Sequence, residues 1–143
     1  LLDGEDSFEK LPLKKIEDTF KVNVLAPIAV TQKLIPLLSQ SSIPVIANMS
    51  SLMGSIKDNS GGAYYAYRLS KTALNMFSKS LSVDYPKIKI ISLHPGWVQT
   101  DMGGPNAQIT MEASVKGLLK VILEPQKYDS GAFVNYRGVE LPW

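Results

Sequence analysis

Residues 44–54 read Pro-Val-Ile-Ala-Asn-Met-Ser-Ser-Leu-Met-Gly, and the change from apolar to hydroxyl-bearing residues within that stretch organises the rest of the chain. Pro44 to Asn48 is a short apolar run suited to a buried strand of a parallel sheet. Ser50 and Ser51 then stand at the strand's C-terminal end, the edge where open parallel sheets bind ligands. Residues Ser50 to Gly62 are rich in Ser, Gly, Asn and Asp and read as a loop. A helix is expected from about Tyr65 to Val83, with Leu69, Ala73, Phe77 and Leu81 along one stripe and Pro86 ending it. Ile88 to Leu93 reads as a second strand, closed by His94-Pro95-Gly96. Thr110 is a fair N-cap for a third helix reaching Leu123, with Glu112 in its first turn and Pro125 as its stop. Gly131 to Tyr136 reads as a third strand. Upstream, Leu13, Ile16, Phe20, Val24, Ile28, Leu34, Ile35 and Leu38 recur at helical steps, predicting one long helix from about Leu13 to Ser39 with Pro27 inside it. Residues 1–12 read as a surface lead-in.

Helices and strands therefore alternate, which implies an α/β fold with right-handed crossovers and helices on both faces of a parallel sheet. Three strands are few for such a sheet, and a pairing partner is missing. The 143 residues carry 15 Lys and Arg against 13 Asp and Glu, a net charge of +2 with no basic run, so no nucleic-acid partner is expected. There are no cysteines and one histidine, which excludes a disulfide scaffold, a thiolate zinc site and a cysteine nucleophile. No metal site is expected. The most apolar stretch, Val22 to Val30, contains Asn23 and Pro27, so no membrane partner is expected either.

The sharpest chemical feature is Tyr67-Arg68-Leu69-Ser70-Lys71. On a helix, Tyr67 and Lys71 lie one above the other on the same face. A nearby ammonium favours phenolate, so Lys71 is expected to lower the Tyr67 pKa from its usual value of about 10, bringing general acid–base work closer to neutral pH. Spacing alone is weak evidence: Tyr85 and Lys89 share it, yet Pro86 forbids the helix that would align them. Context strengthens the first pair. Asn48-Met49-Ser50-Ser51 upstream and Pro95-Gly96-Trp97-Val98-Gln99-Thr100 downstream each follow a strand's C-terminal end, so three segments converge on one rim.

Together these motifs resemble the short-chain dehydrogenase/reductase family over nearly the whole chain. The runs at residues 60–75 and 94–104 and the Leu141-Pro142-Trp143 ending are most similar to its sniffer-like and C-factor-like carbonyl reductases. The resemblance implies the C-terminal part of a Rossmann-type doubly wound parallel sheet. It also implies NAD(P)H-dependent reduction of an aldehyde or ketone, with NADP(H) in preference to NAD(H), in the cytoplasm. It makes Tyr67 the proton donor, Ser51 (with Ser50 as its rival) the hydroxyl that orients the substrate, and Lys71 both a tuner of Tyr67 and a ligand of the nicotinamide ribose. Asn23 matches the residue whose main-chain carbonyl holds a relay water. The sequence offers a separate reason for that: Pro27, four residues on, has no N–H to give the Asn23 carbonyl. Pro95, Gly96, Val98 and Thr100 match positions on the nicotinamide side. His94 is expected to have a structural hydrogen-bonding role.

The family's glycine-rich turn between first strand and helix, and its later Asn-Asn-Ala-Gly stretch, do not occur in these residues. Nor does the residue that distinguishes NAD from NADP. By family comparison about 90 residues carrying about four strands of the sheet would precede Leu1, leaving the strand at Pro44 to Asn48 as an exposed edge. Two expectations follow. Either these residues are the catalytic part of a carbonyl reductase, or they are an inactive truncated chain that acts only by association, for instance as a homodimer through its two long helices. Without the glycine-rich turn, residues 1–143 alone are expected to show no saturable NADPH binding in titration calorimetry. A micromolar dissociation constant would contradict this.

Overall fold

The computed structural model describes residues 7–143; the first half of the expected lead-in lies outside the described residues. Leu13–Phe20 (α1), a π-helical turn at Lys21–Leu25 and Ala26–Leu38 (α2) form one continuous helix. The elements that follow are β1 (Val45–Met49), a short 3-10 turn (Leu52–Gly54), α3 (Tyr65–Asp84), β2 (Lys89–His94), α4 (Met111–Leu123) and β3 (Ala132–Asn135). Thr110 caps α4 as expected, its hydroxyl accepting from the Ala113 N–H at 3.2 Å; such a cap is worth about 1 kcal/mol.

The long helix departs from its sequence reading in two ways. It is wound as a π turn in the middle, next to Pro27, whose missing N–H interrupts the regular ladder. It is also long and apolar enough to cross a membrane, by length and composition alone. Taking Asn23 and Pro27 as interruptions hid that, because both sit inside a helix that continues through them. Here it packs against α3, with Thr19, Val24 and Thr31 buried.

The three strands are parallel in the order β1-β2-β3, with Ile46 opposite Ile90, Asn48 opposite Ser92 and Leu93 opposite Val134. Side chains alternate between faces. On one face Ile46, Leu81, Ile88 and Ile90 pack with Ile35, Leu38, Phe77 and Tyr85 from α2, α3 and the turn that follows. On the other, Ile91, Leu93 and Val134 pack with Leu118 and Val121 of α4. β2 is central, and both Ile90 and Ile91 are fully buried. β1 is an edge among the described residues. β3 is covered by the chain's own tail: Gly138 turns with a positive φ, and the Asn135 and Leu141 N–H groups donate to Val139 and Phe133 carbonyls at 2.9 and 2.7 Å.

The stripe expected on α3 is rotated. Leu69 is 49% exposed, whereas Leu74 is 2% exposed and the buried face runs Ala66, Ser70, Leu74, Ser78, Leu81. Serines can occupy this face because each returns a hydrogen bond to its own helix: Ser70 to the Tyr67 carbonyl at 2.8 Å and Ser78 to the Leu74 carbonyl at 2.9 Å. A search for apolar residues alone passes over such positions.

Candidate active site

β1 ends at Met49, and the chain turns at Ser50 and Ser51 into the 3-10 turn lying on α3. The turn lies flush on the helix at Gly54, where a Cβ would stand 2.8 Å from the Lys71 carbonyl carbon. The Ser51 hydroxyl accepts from the Met53 N–H at 3.2 Å and stands near enough to the Tyr67 phenol to draw its pKa down. Ser50, its rival, is 2% exposed, and its hydroxyl has no partner among the described residues. Of the two serines, Ser51 is the one whose hydroxyl bears on the Tyr67 phenol.

Lys71 is 9% exposed. Its Nζ donates to the Met49 carbonyl at 2.9 Å and stands 5.5 Å from the centre of the Tyr67 ring. Burial lowers the Lys71 pKa. Burial also pushes the Tyr67 phenol above its usual value, with the Ser51 hydroxyl pulling against that rise. The expectation that Lys71 leaves Tyr67 with a lowered pKa is thus corrected. Desolvation of the phenolate outweighs the help it receives, and the ammonium gives one of its three N–H donors to a backbone carbonyl.

Asn23 joins the same cluster from the π turn, its side-chain amide donating to the Ser70 hydroxyl at 3.0 Å. Pro95, Gly96, Val98 and Thr100 lie beyond the end of β2 and bind chiefly to their own loop. The Pro95 carbonyl accepts from the Ser114 hydroxyl at 2.7 Å, Val98 bridges to Ile109, and Thr100 Oγ1 accepts from the Gly103 N–H at 3.1 Å. Gly96 has a φ of +84°, and a Cβ there would run into Ile109. Trp97 Nε1 donates to the Gly103 carbonyl at 2.8 Å, closing the loop on itself.

His94 has the structural role expected of it. Its Nδ1 accepts from the Leu52 N–H at 3.2 Å, immediately after Ser51. Two further residues matter that the sequence reading passed over. Ser70 links Asn23 to α3. Arg68 donates to the Gly62 carbonyl at 2.8 Å and the Met53 carbonyl at 3.4 Å, tying down a turn in which Ala63 and Tyr64 both have positive φ. Two adjacent non-glycine residues in that region are costly unless held. The signal for Ser70 was available: a serine three residues after Tyr67 lies on its side of the helix. Arg68 offered none.

The family profile described as short chain dehydrogenase matches residues 2–110. The chain belongs to the short-chain dehydrogenase family. The C-signal protein of Myxococcus xanthus is 46% identical over 127 residues, covering 87% of this chain and 76% of that protein. The carbonyl reductase Sniffer of D. melanogaster superposes with a TM-score of 0.94 at 36% identity, over 100% of this chain and 63% of that one. The NADPH-bound carbonyl reductase from chicken fatty liver does so with a TM-score of 0.90 at 35% identity, over 98% of this chain and 62% of that one. This short-chain dehydrogenase chain thus spans just under two thirds of the length of those two structures. Its sheet is of the Rossmann type, as the superposition on Sniffer shows.

Burial lowers the His94 pKa, with Asp58 acting weakly in the opposite direction. The unfolded chain therefore takes up this proton first, and stability should fall as pH drops through about 6.5, levelling off below the folded-state pKa. His94→Asn, which keeps an acceptor but no titration, should show a smaller loss of Tm between pH 7.5 and 5.5 than the parent. Equal losses in the two proteins would contradict the assignment.

Proposed function

We propose that this chain carries the proton-transfer half of an NADP(H)-dependent reductase of aldehydes or ketones. The observation that carries the reading is the convergence of Ser51, Tyr67 and Lys71 on one strand end. A tyrosine phenol is protonated at neutral pH. Its proton is therefore available to a carbonyl oxygen gaining negative charge. Ser51, close beside the Tyr67 phenol, would hold the same oxygen and fix its approach.

The described residues fit the nicotinamide end of a dinucleotide and not its phosphates. Lys71 offers a buried ammonium for the ribose, and Asn23, Tyr67, Pro95, Gly96, Val98 and Thr100 line the same side in this reading. A pyrophosphate needs a glycine-rich turn opening a helix directly after a strand. Gly103 is instead packed against the Val98 carbonyl within its own loop, and Gly61 and Gly62 lie in the long connection after the 3-10 turn. When bound, the nicotinamide would supply the hydride. The chain's own residues would orient the carbonyl through Ser51, deliver the proton from Tyr67 Oη, and replace it through Lys71 and a water at the Asn23 carbonyl. The NADPH bound to the chicken reductase supports the choice of cofactor.

A second reading, association through the long helices, is favoured by the exposed apolar side chains there. Leu25 and Val30 on the first helix are 56% and 57% exposed, and Met76 and Val83 on α3 are 66% and 70% exposed.

The first reading is tested in a protein that joins these residues to a glycine-rich dinucleotide-binding half. Tyr67→Phe should lower kcat for an aldehyde or ketone by about a hundredfold or more, with NADPH affinity nearly unchanged. Turnover close to that of the parent would overturn the reading.

A further inference from the structure

Asn23 sits in the middle of the π turn, where the Ala26 N–H reaches back to the Lys21 carbonyl. A π turn is a widened, irregular piece of helix found frequently at functional sites. Pro27 withholds the N–H that an α-helix would have offered to the Asn23 carbonyl. Asn23 thus sits at a break in the regular ladder, and its setting draws on contacts that its side chain makes outside its own helix.

Ser70 supplies such a contact. It is 0% exposed, its hydroxyl accepts from Asn23 Nδ2 at 3.0 Å, and it donates to the Tyr67 carbonyl at 2.8 Å. A hydroxyl has one proton to give. With that proton on the Tyr67 carbonyl, Asn23 can meet Ser70 only through its NH2 group, so the orientation of the amide is settled by donor and acceptor bookkeeping. We propose that Ser70 is a positioning residue, whose hydroxyl bridges the Asn23 side chain and the Tyr67 main chain and so fixes the π turn against α3. Its consequence for proton delivery rests on the proposed function; the bridge itself does not.

α3 contains a built-in comparison. Two turns further on, Asn48 of β1 donates to the Ser78 hydroxyl at 2.9 Å, and Ser78 donates to the Leu74 carbonyl at 2.9 Å. The two devices share their chemistry, and both serines are fully buried. The second joins α3 to the sheet, whereas the first joins it to the π turn. Loss of the Ser78 hydroxyl should therefore loosen the core without addressing Asn23, and loss of the Ser70 hydroxyl should do the reverse.

The test is amide hydrogen exchange by NMR on the 143-residue chain, which needs no cofactor and no turnover. Ser70→Ala should speed exchange across Lys21–Leu25 by about tenfold relative to the β2 amides of Ile90–Leu93. It should also shift the Asn23 side-chain NH2 resonance, assigned through Asn23→Ala. Ser78→Ala should leave both readouts in place. Asn23→Asp gives a second route: its carboxylate can only accept, so it would draw the Ser70 proton away from Tyr67 and open the same amides. Parallel changes in both segments, or none in Lys21–Leu25, in either Ser70→Ala or Asn23→Asp would overturn the proposal. An active Tyr67→Phe would overturn the functional reading and leave this bridge standing.

Discussion

The Lys71 ammonium reaches from the second turn of α3 to the carbonyl of Met49, 2.9 Å away at the last residue of β1. A buried lysine without an acceptor would be expensive, so this bond fixes the height of the helix above the strand. The chain has only two residues between Met49 and the start of the 3-10 turn, and Ser51 is one of them. The same contact therefore sets the distance from Ser51 to Tyr67. Gly54 completes the arrangement, because nothing larger than hydrogen fits between the turn and the Lys71 backbone.

Around that contact the protein places an unusually polar layer between sheet and helix. Asn48 and Ser92 come from the strands, Ser50 from the residue just past β1, and Ser70, Asn75 and Ser78 from α3, all nearly buried. Some of this layer is satisfied by bridges across elements, as Asn48 is by Ser78 and Asn23 by Ser70. Such pairs give direction and register where an apolar seam would give only adhesion. The opposite face, under α4, is built from Ile91, Leu93, Leu118, Val121 and Val134 and holds none of the proposed proton-transfer residues. The proposed proton-transfer residues lie on the side of the sheet that α3 covers.

Much of this was legible in the sequence. The three strands and three helices, the first of them running through α1, the π turn and α2, follow from short apolar runs, helical spacing and the proline and glycine stops, and the rim at Ser51, Tyr67 and Lys71 follows from their places in that order. What escaped detection has physical causes. The buried face of α3 carries serines that satisfy themselves on their own backbone, so Leu69 rather than Leu74 looked like core. The π turn came from a proline effect whose outcome depends on packing, and Pro27 alone does not choose between a kink and a widened turn. The charge balance at Tyr67 required a burial that no spacing rule reports, and it reverses the direction that the Lys71 neighbour suggested. The Arg68 clamp joins segments fifteen residues apart through backbone carbonyls, which leave no pattern in side-chain identity.

The central claim is that the buried setting of Tyr67 raises the pKa of its phenol, with Ser51 as the group that moderates the rise. A 13C NMR titration of tyrosine Cζ, with the Tyr67 signal assigned from Tyr67→Phe, measures this directly. The account predicts a Tyr67 midpoint above the usual tyrosine value, moving higher still in Ser51→Ala. A midpoint below the usual value, or one indifferent to Ser51→Ala, would contradict it.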